Sequence, residues 1–191
     1  MSTHPRVFLI HGFEGTPNGG WRPWLMAQLG QKDVFACSLA MPSPENPSSQ
    51  EWVNEIARAV GLPSEQIFLV GHSLGSPAIL QYLQSLKIGE QIGGAVLVSG
   101  PFQNTEDEYK TKLESFFVPP FDFTRIKNAC KQFVVIHGAN DPVVPFSDAE
   151  SFGKALGCSV VSVPNGGHLN GSSGWRELPQ ALTALKEFLK I

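Results

Sequence analysis

The sequence predicts an α/β protein, a three-layer sandwich in which a six-stranded parallel sheet lies between layers of helices. Short runs of β-branched and other apolar residues alternate along the chain with amphipathic stretches of helical length. Such alternation indicates parallel strands joined by right-handed helical crossovers. Several of the runs are continuously apolar, which is typical of strands buried on both faces of a sheet.

Six runs are predicted to form the strands. They are residues 7–10, 34–37, 67–70, 95–98, 133–136 and 160–163. In an open parallel sheet the ligand lies at the carboxyl ends of the strands. We therefore expect the functional residues in the loops that directly follow these runs.

Helices are predicted between the strands. Ser48 and Glu51 have the spacing of a capping box ahead of an apolar helical face, and Ser147 and Glu150 repeat that spacing ahead of a helix over 148–156. Further helices are predicted over residues 77–83, residues 106–117 and residues 177–190, the last with a buried stripe of Leu178, Leu182, Leu185 and Leu189.

Length and charge limit the function. A chain of 191 residues suits one globular domain, which we assign to residues 1–191. Its 14 basic and 17 acidic residues give a net charge of −3 without runs of like charge, so nucleic acid and anionic membranes are not expected partners. We expect neither a signal peptide nor a membrane span. Cys37, Cys130 and Cys158 form no C-x-x-C pair and are predicted to be free thiols of a cytoplasmic protein.

A G-x-S-x-G motif, formed by Gly71, Ser73 and Gly75, follows the third strand and precedes a helix. At such a turn the serine backbone is strained and the flanking positions tolerate almost no side chain. The turn therefore presents the Ser73 hydroxyl to the crevice, at the positive end of the following helix. The same motif also occurs as an ordinary glycine-rich turn, so a nucleophilic Ser73 needs a base and an orienting acid.

The loops after the fifth and sixth strands supply that acid and that base. Asp141 stands in the first of these loops, and His168 stands beside a pair of glycines in the second. The order Ser73, Asp141, His168 is the one expected for a catalytic triad on such a sheet. Asp148 is a nearby competitor for the role of Asp141, but it lies at the start of a helix.

The other histidines are interpreted as structural. His11 and His137 each follow an apolar strand and precede a glycine, which favours bracing of loops over a place in the site. His72 adjoins the serine but should point away from it, and His4 lies in the N-terminal tail. The histidines form no H-x-H or H-E-x-x-H cluster, so no metal or other cofactor is expected.

The loop after the first strand is expected to complete the site. Gly12 lets the chain turn close to Ser73, so the backbone N–H of Phe13 is predicted to act with that of Leu74 as an oxyanion hole. Apolar residues in the loops that follow the strands are predicted to line the substrate pocket, namely Phe13, Pro101, Phe102, Phe116, Phe117 and Trp175, although Phe116 and Phe117 fit the core equally well.

These motifs resemble those of the α/β-hydrolase superfamily, and within it the small serine hydrolases typified by retinoblastoma-binding protein 9 and the YdeN-type bacterial proteins. The resemblance covers nearly the whole chain, through residues 7–12, 21–25, 71–75, 138–145 and 167–168. One position departs from the retinoblastoma-binding group, because Gly75 stands where that group often has an alanine.

The resemblance implies a reduced α/β-hydrolase fold with six parallel strands and no large cap domain, and a triad of Ser73, Asp141 and His168. It also implies a carboxylesterase that acts without a cofactor on a small-molecule ester, and the apolar pocket residues favour a small or medium acyl chain. No binding of a partner protein is carried over, because no motif here supports it.

Two other functions remain open. A thioesterase or peptidase would use the same triad, although amide hydrolysis demands more activation of the leaving group. A non-catalytic binding module could retain the fold, because fold alone does not fix function. Since residues 101–131 are the only long stretch available for a cap, we expect a relatively open crevice.

Overall fold

The chain forms a six-stranded parallel sheet in a computed structural model, which describes residues 4–105 and 107–191. The strands are β1 (Arg6–Ile10), β2 (Phe35–Ser38), β3 (Ile67–His72), β4 (Gly94–Val98), β5 (Phe133–Gly138) and β6 (Ser159–Val163). Their order in the sheet is β2-β1-β3-β4-β5-β6, and each neighbouring pair is parallel. The predicted fold class and the six predicted strands are confirmed.

Burial follows the position of each strand in the sheet. The inner strands β1, β3 and β4 are buried along nearly their whole length, whereas the edge strands β2 and β6 are largely half-exposed. Continuously apolar runs therefore mark the strands that helices cover on both faces. Because all strands run in one direction, the loops after β3, β5 and β6 leave the sheet at the same edge.

Helices cover both faces of this sheet. In the described residues they are α1 (Arg22–Gly30), α2 (Ser49–Val60), α3 (Gly75–Ser85), α4 (Lys110–Leu113), α5 (Phe123–Ala129), α6 (Phe146–Leu156) and α7 (Pro179–Leu189). One hydrophobic core contains Trp52, Ile79 and Phe152 and lies under α2, α3, α5 and α6. A second core contains Leu25 and Leu185 and lies under α1 and α7. The arrangement is the predicted three-layer sandwich.

The two predicted capping boxes are wrong. Ser48 precedes α2, but its side chain makes no capping hydrogen bond. The neighbouring N–H of Ser49 donates to Oγ of Ser115 at 3.1 Å, a partner 66 residues away that no local rule can foresee. The other helix, α6, begins at Phe146, one residue before the second predicted box, so Ser147 lies within the helix and its N-cap is Pro145, which has no side-chain acceptor.

The helix predicted over residues 106–117 is shorter than expected. Helix α4 has four residues, and a 3₁₀ turn over Glu114–Phe116 follows it. Glu106, where the predicted helix began, lies outside the described residues. The end of this segment is anchored nonetheless, because the fully buried ring of Phe116 has its centroid 5.2 Å from that of Trp52 on α2.

Candidate active site

Ser73 lies at the sharp turn between β3 and α3. Its φ of 51° is left-handed, a conformation that non-glycine residues rarely adopt. A Cβ at Gly71 would lie 2.6 Å from the backbone of Gly75, and a Cβ at Gly75 would overlap the carbonyl oxygen of Ile10. Both glycines are therefore needed for the turn, and an alanine at position 75 would require the backbone of β1 to shift.

The loop after β1 approaches Ser73 closely. A Cβ at Gly12 would lie 2.8 Å from Cβ of Ser73 and 3.3 Å from its Oγ. Within the described part of the chain, the N–H groups of Phe13 and Leu74 donate to no protein acceptor, and both residues line the same cavity as Ser73. Unpaired N–H groups beside a serine hydroxyl are the donors that a tetrahedral oxyanion requires.

His168 and Asp141 are hydrogen-bonded to each other in the loops after β6 and β5. Nδ1 of His168 donates to Oδ2 of Asp141 at 2.8 Å, and the carboxylate is fully buried. Its Oδ1 accepts the N–H groups of Val143 and Val144 at 2.8 and 3.0 Å. Burial alone would raise the pKa of Asp141, but these donors lower it below its ordinary value. The carboxylate thus holds the proton of His168 on Nδ1 and leaves Nε2 able to accept another.

Close backbone packing positions the loop that carries His168. The N–H of Gly167 donates to Oδ1 of Asn140 at 2.9 Å. Gly138, at the end of β5, lies so near this loop that a Cβ there would overlap the carbonyl oxygen of Gly167. The imidazole is therefore placed by the meeting of two loops as well as by its bond to Asp141.

His72 supports the same loop from beneath. Its Nε2 lies 2.9 Å from the carbonyl oxygen of His168, and because a carbonyl only accepts, Nε2 carries the proton. The ring packs against His168 and Trp21, with centroids 5.1 and 6.1 Å apart. Burial lowers the pKa of His72 to about 3. His72 is therefore a neutral donor at any pH near neutrality, and its ring serves the loop rather than the serine.

Replacing His72 with glutamine is expected to reduce the acid sensitivity of the fold. The unfolded chain protonates this histidine near pH 6.5, whereas the folded chain protonates it only near pH 3. Unfolding therefore takes up a proton between these values, and the wild type loses on the order of 1 kcal/mol of stability per pH unit as the pH falls from about 6 to about 4.

Denaturant unfolding at several pH values measures this effect. Glutamine retains a donor for the His168 carbonyl but does not titrate. The free energy of unfolding of His72→Gln should therefore approach that of the wild type as the pH falls. His11, whose pKa burial also lowers, contributes equally to both proteins and cancels from the difference. Parallel curves for the two proteins across this range would contradict the assignment.

His11 and His137 brace loops around the site. The protonated Nδ1 of His11 donates to the carbonyl of Gly12 at 2.9 Å, and its Nε2 accepts the N–H of Met41 at 3.3 Å. Nε2 of His137 lies 3.0 Å from the carbonyl of Val144, in the loop that carries the acid. Both rings are fully buried, and each contacts a loop that follows its own strand.

A cavity of about 420 Å³ opens beside Ser73. The loop after β1 contributes Phe13 to its wall, the segment over residues 101–117 contributes Tyr109, and the loop after β5 contributes Val143. The rings of Tyr109 and Phe13 have centroids 5.2 Å apart, so the segment closes against the loop after β1. The expected crevice is thus a walled cavity, formed without a large cap domain.

Neither Phe102 nor Trp175, which the sequence analysis predicts to bind the substrate, lines this cavity. Their predicted place in the pocket is therefore corrected. The ring of Phe102 stacks on Phe123 at 5.6 Å and meets the edge of Phe152 at 5.0 Å, so it packs against the core. The indole N–H of Trp175 donates to the carbonyl of Gly166 at 2.7 Å, and its ring packs on the core under α1 and α7.

Of the other residues predicted to line the pocket, some line the cavity and one lies in the core. Pro101 and Phe117 line the cavity, whereas Phe116 is fully buried in the core. Tyr109 and Asp148 also line it, although no sequence signal distinguished the former and the latter stood only as a competitor of Asp141. Which side of the segment 101–117 faces the serine depends on tertiary packing, which local patterns do not encode.

The described residues contain neither a metal-binding cluster nor a membrane-spanning helix. In residues 4–105 and 107–191, no group of three or more His, Cys, Asp and Glu side chains is arranged to hold a metal ion. Across the same residues, no helix is both long enough and apolar enough to cross a membrane.

The fold and the turn at Ser73 define a class of protein, the α/β hydrolases with a serine between the third strand of the sheet and its helix. The sequence profile of one family, described as serine hydrolase, matches residues 7–187. The chain belongs to this serine hydrolase family.

Individual relatives agree with this assignment. The protein YdeN of Bacillus subtilis (strain 168) is 32% identical over 183 residues, which cover 96% of this chain and 95% of YdeN. The crystal structure of the ydeN gene product from B. subtilis matches with a TM-score of 0.92 at 30% identity, over 98% of this chain and 100% of that one. The resemblance to YdeN-type hydrolases is therefore confirmed.

Two more distant relatives have lower sequence identity to this chain. Lysophosphatidylserine lipase ABHD12 of Rattus norvegicus is 26% identical over 178 residues, and the match covers 76% of this chain but 44% of the lipase. This chain thus spans less than half of that relative. Est1E from Butyrivibrio proteoclasticus has a TM-score of 0.74 at 16% identity, over 97% of this chain and 87% of Est1E, and shares the fold.

Proposed function

We propose that the protein is a carboxylesterase that hydrolyses small or medium acyl esters through an acyl-enzyme intermediate. In this proposal Ser73 is the nucleophile, His168 is the general base and acid, and Asp141 orients the imidazole. The backbone N–H groups of Phe13 and Leu74 bind the oxyanion. No cofactor takes part.

One observation carries the proposal. His168 is hydrogen-bonded to a buried carboxylate, Asp141, at the same edge of the sheet where Ser73 lines a cavity. A neutral imidazole held in its Nδ1–H form is the base that a serine hydroxyl requires. The carboxylate would also stabilise the imidazolium that forms when the base accepts a proton.

The reaction then proceeds in two halves. Oγ of Ser73 attacks the ester carbonyl carbon while Nε2 of His168 takes its proton, and the negative charge moves to the carbonyl oxygen between the two N–H groups. Collapse of this intermediate expels the alcohol, which receives the proton from His168. A water molecule, deprotonated by the same imidazole, attacks the acyl-enzyme and releases the carboxylic acid and free Ser73.

The cavity supports small or medium acyl chains. Its volume of about 420 Å³ falls within the range of roughly 300–1,000 Å³ typical of small-molecule sites. Phe13, Leu113 and Phe117 give it apolar walls. The substrate in the name of the lysophosphatidylserine lipase is not proposed here, because the match covers only 44% of that lipase.

Labelling with a fluorophosphonate probe tests the nucleophile. We expect one probe per wild-type chain, located on the peptide that contains Ser73, and no labelling of Ser73→Ala. Ser99→Ala is the matched control, because Ser99 follows β4, has a φ of 46° and is fully buried outside the cavity. Folded wild-type protein that does not react at Ser73 would contradict the proposal.

Two alternatives remain as outcomes of kinetic assays. A butyryl ester, thioester and anilide, compared on wild type and Ser73→Ala, separate an esterase from a thioesterase or peptidase. Equal hydrolysis by both proteins would favour a non-catalytic binding module.

We further propose a cytoplasmic location, supported by the unpaired state of Cys37, Cys130 and Cys158, since thiols stay reduced in that compartment.

A further inference from the structure

We propose that the cavity selects esters whose acyl chain carries no negative charge, and that Asp148 is the residue that determines this selection. The inference rests on the proposed esterase function, because it concerns what enters the cavity beside Ser73. It adds a substrate class to that function, namely neutral or cationic acyl groups.

Asp148 is a buried carboxylate in the cavity wall. It lies in the first turn of α6 and is 6% exposed, and it lines the same cavity as Ser73. Its Oδ2 accepts the N–H of Phe102 at 2.8 Å, and the nearby backbone of Gln103 also favours the ionised form. Burial raises the pKa of Asp148, while these backbone groups oppose that shift by stabilising the ionised form.

No cation of residues 4–105 or 107–191 is paired with this carboxylate. Among the described residues, no Lys or Arg forms an ion pair with Asp148, and the one titratable neighbour that favours its charge is His137. An anionic group that entered the cavity would lose its hydration and face a like charge at low dielectric. A neutral chain would meet only the apolar walls.

The cavity entrance carries further negative charge. Glu14 and Asp107 are exposed and line the cavity, whereas the described residues that line it include no Lys, Arg or His. The exposed ammonium of Lys112 lies 6.0 Å from the ring centroid of Phe13 and does not line the cavity. Salt screens exposed charges of this kind, but it screens a buried carboxylate such as Asp148 far less.

Asp148 also has a structural task, from which its charge must be separated. By accepting the N–H of Phe102 it attaches the segment after β4 to α6. Asparagine retains an oxygen that accepts this N–H group, but it carries no charge. Asp148→Asn therefore changes the electrostatics of the cavity while keeping the contacts that hold its wall.

Three p-nitrophenyl esters test the selection. Their six-carbon acyl chains end in a methyl group, a carboxylate or a trimethylammonium group, and kcat/KM is divided by the rate of alkaline hydrolysis of each ester. For the wild type we expect a kcat/KM at least about tenfold lower for the carboxylate ester than for the methyl ester, and the ratio should persist in about 0.5 M NaCl. In Asp148→Asn the ratio should fall about tenfold.

The controls separate an effect of the Asp148 charge on substrate preference from an effect of the substitution on the fold. Asp122→Asn, which removes an exposed carboxylate at the start of α5, should leave the ratio at its wild-type value. If Asp148→Asn does not fold, Asp148→Ser offers a second uncharged acceptor. Similar wild-type rates for the carboxylate and methyl esters, or an unchanged ratio in the folded variant, would overturn the inference. Equal hydrolysis by wild type and Ser73→Ala would instead reject the esterase function.

Discussion

Asp141→Asn is expected to lower kcat by about 10⁴-fold while the fold remains intact. The amide can still accept the N–H groups of Val143 and Val144 through its oxygen, as the Oδ1 of Asp141 does now. Its NH₂ group then faces Nδ1 of His168 and donates to it, which forces the imidazole proton onto Nε2. An imidazole in that form cannot take the proton of Ser73.

Steady-state hydrolysis of p-nitrophenyl butyrate measures the loss. Asp122→Asn is the matched control, because Oδ1 of Asp122 accepts the N–H of Arg125 in a similar local turn but has no histidine partner. It should retain wild-type kcat. An Asp141→Asn protein that stays folded and keeps kcat within tenfold of the wild type would show that the carboxylate does not orient a catalytic base.

The sheet could be predicted from the sequence because its signals are local and redundant. Runs such as residues 67–70 and 95–98 are continuously apolar, and the structure buries them on both faces. Parallel strands then place their following loops at one edge, so Ser73, Asp141 and His168 reach the same region of the molecule by topology alone. Their catalytic roles stay a proposal until the variants are measured.

The positions that could not be predicted depend on contacts between distant segments. At the start of α2 the side chain of Ser48 makes no capping hydrogen bond, and the N–H of Ser49 finds its acceptor on the distant Ser115. Trp175 stands in a loop beside His168 in the sequence, but its indole binds the carbonyl of Gly166 and leaves the cavity to other residues. Composition makes an aromatic residue a good pocket candidate, yet its side-chain direction is decided by packing.

Asp148 illustrates the same limit for a charged residue. In the sequence it competes with Asp141 because both follow β5 within ten residues. In the structure the two carboxylates have different partners, since Asp141 accepts from His168 and Asp148 accepts from the backbone of Phe102. The sequence favours Asp141 as the partner of the histidine, but only the three-dimensional arrangement places Asp148 in the cavity wall.

Gly138→Ala is expected to lower kcat/KM by at least about 100-fold and the free energy of unfolding by about 1–3 kcal/mol. The added Cβ would overlap the carbonyl oxygen of Gly167, so the loop after β6 must move away from the end of β5. That loop carries His168, and its N–H bond to Asn140 spans the same gap. A displacement of about 1 Å at a catalytic base is enough for a loss of this size.

Kinetics and denaturant unfolding of the same samples separate the two effects. Gly30→Ala is the matched control, because Gly30 ends α1 and a Cβ there meets no atom within 4 Å. Its activity and stability should equal or slightly exceed those of the wild type. Activity of Gly138→Ala is measured well below its unfolding midpoint, so that loss of folded protein does not account for the result. A folded Gly138→Ala with wild-type kcat/KM would mean that the site does not require the close approach of these two loops, and His168 would then have to be placed by Asp141 and His72 alone.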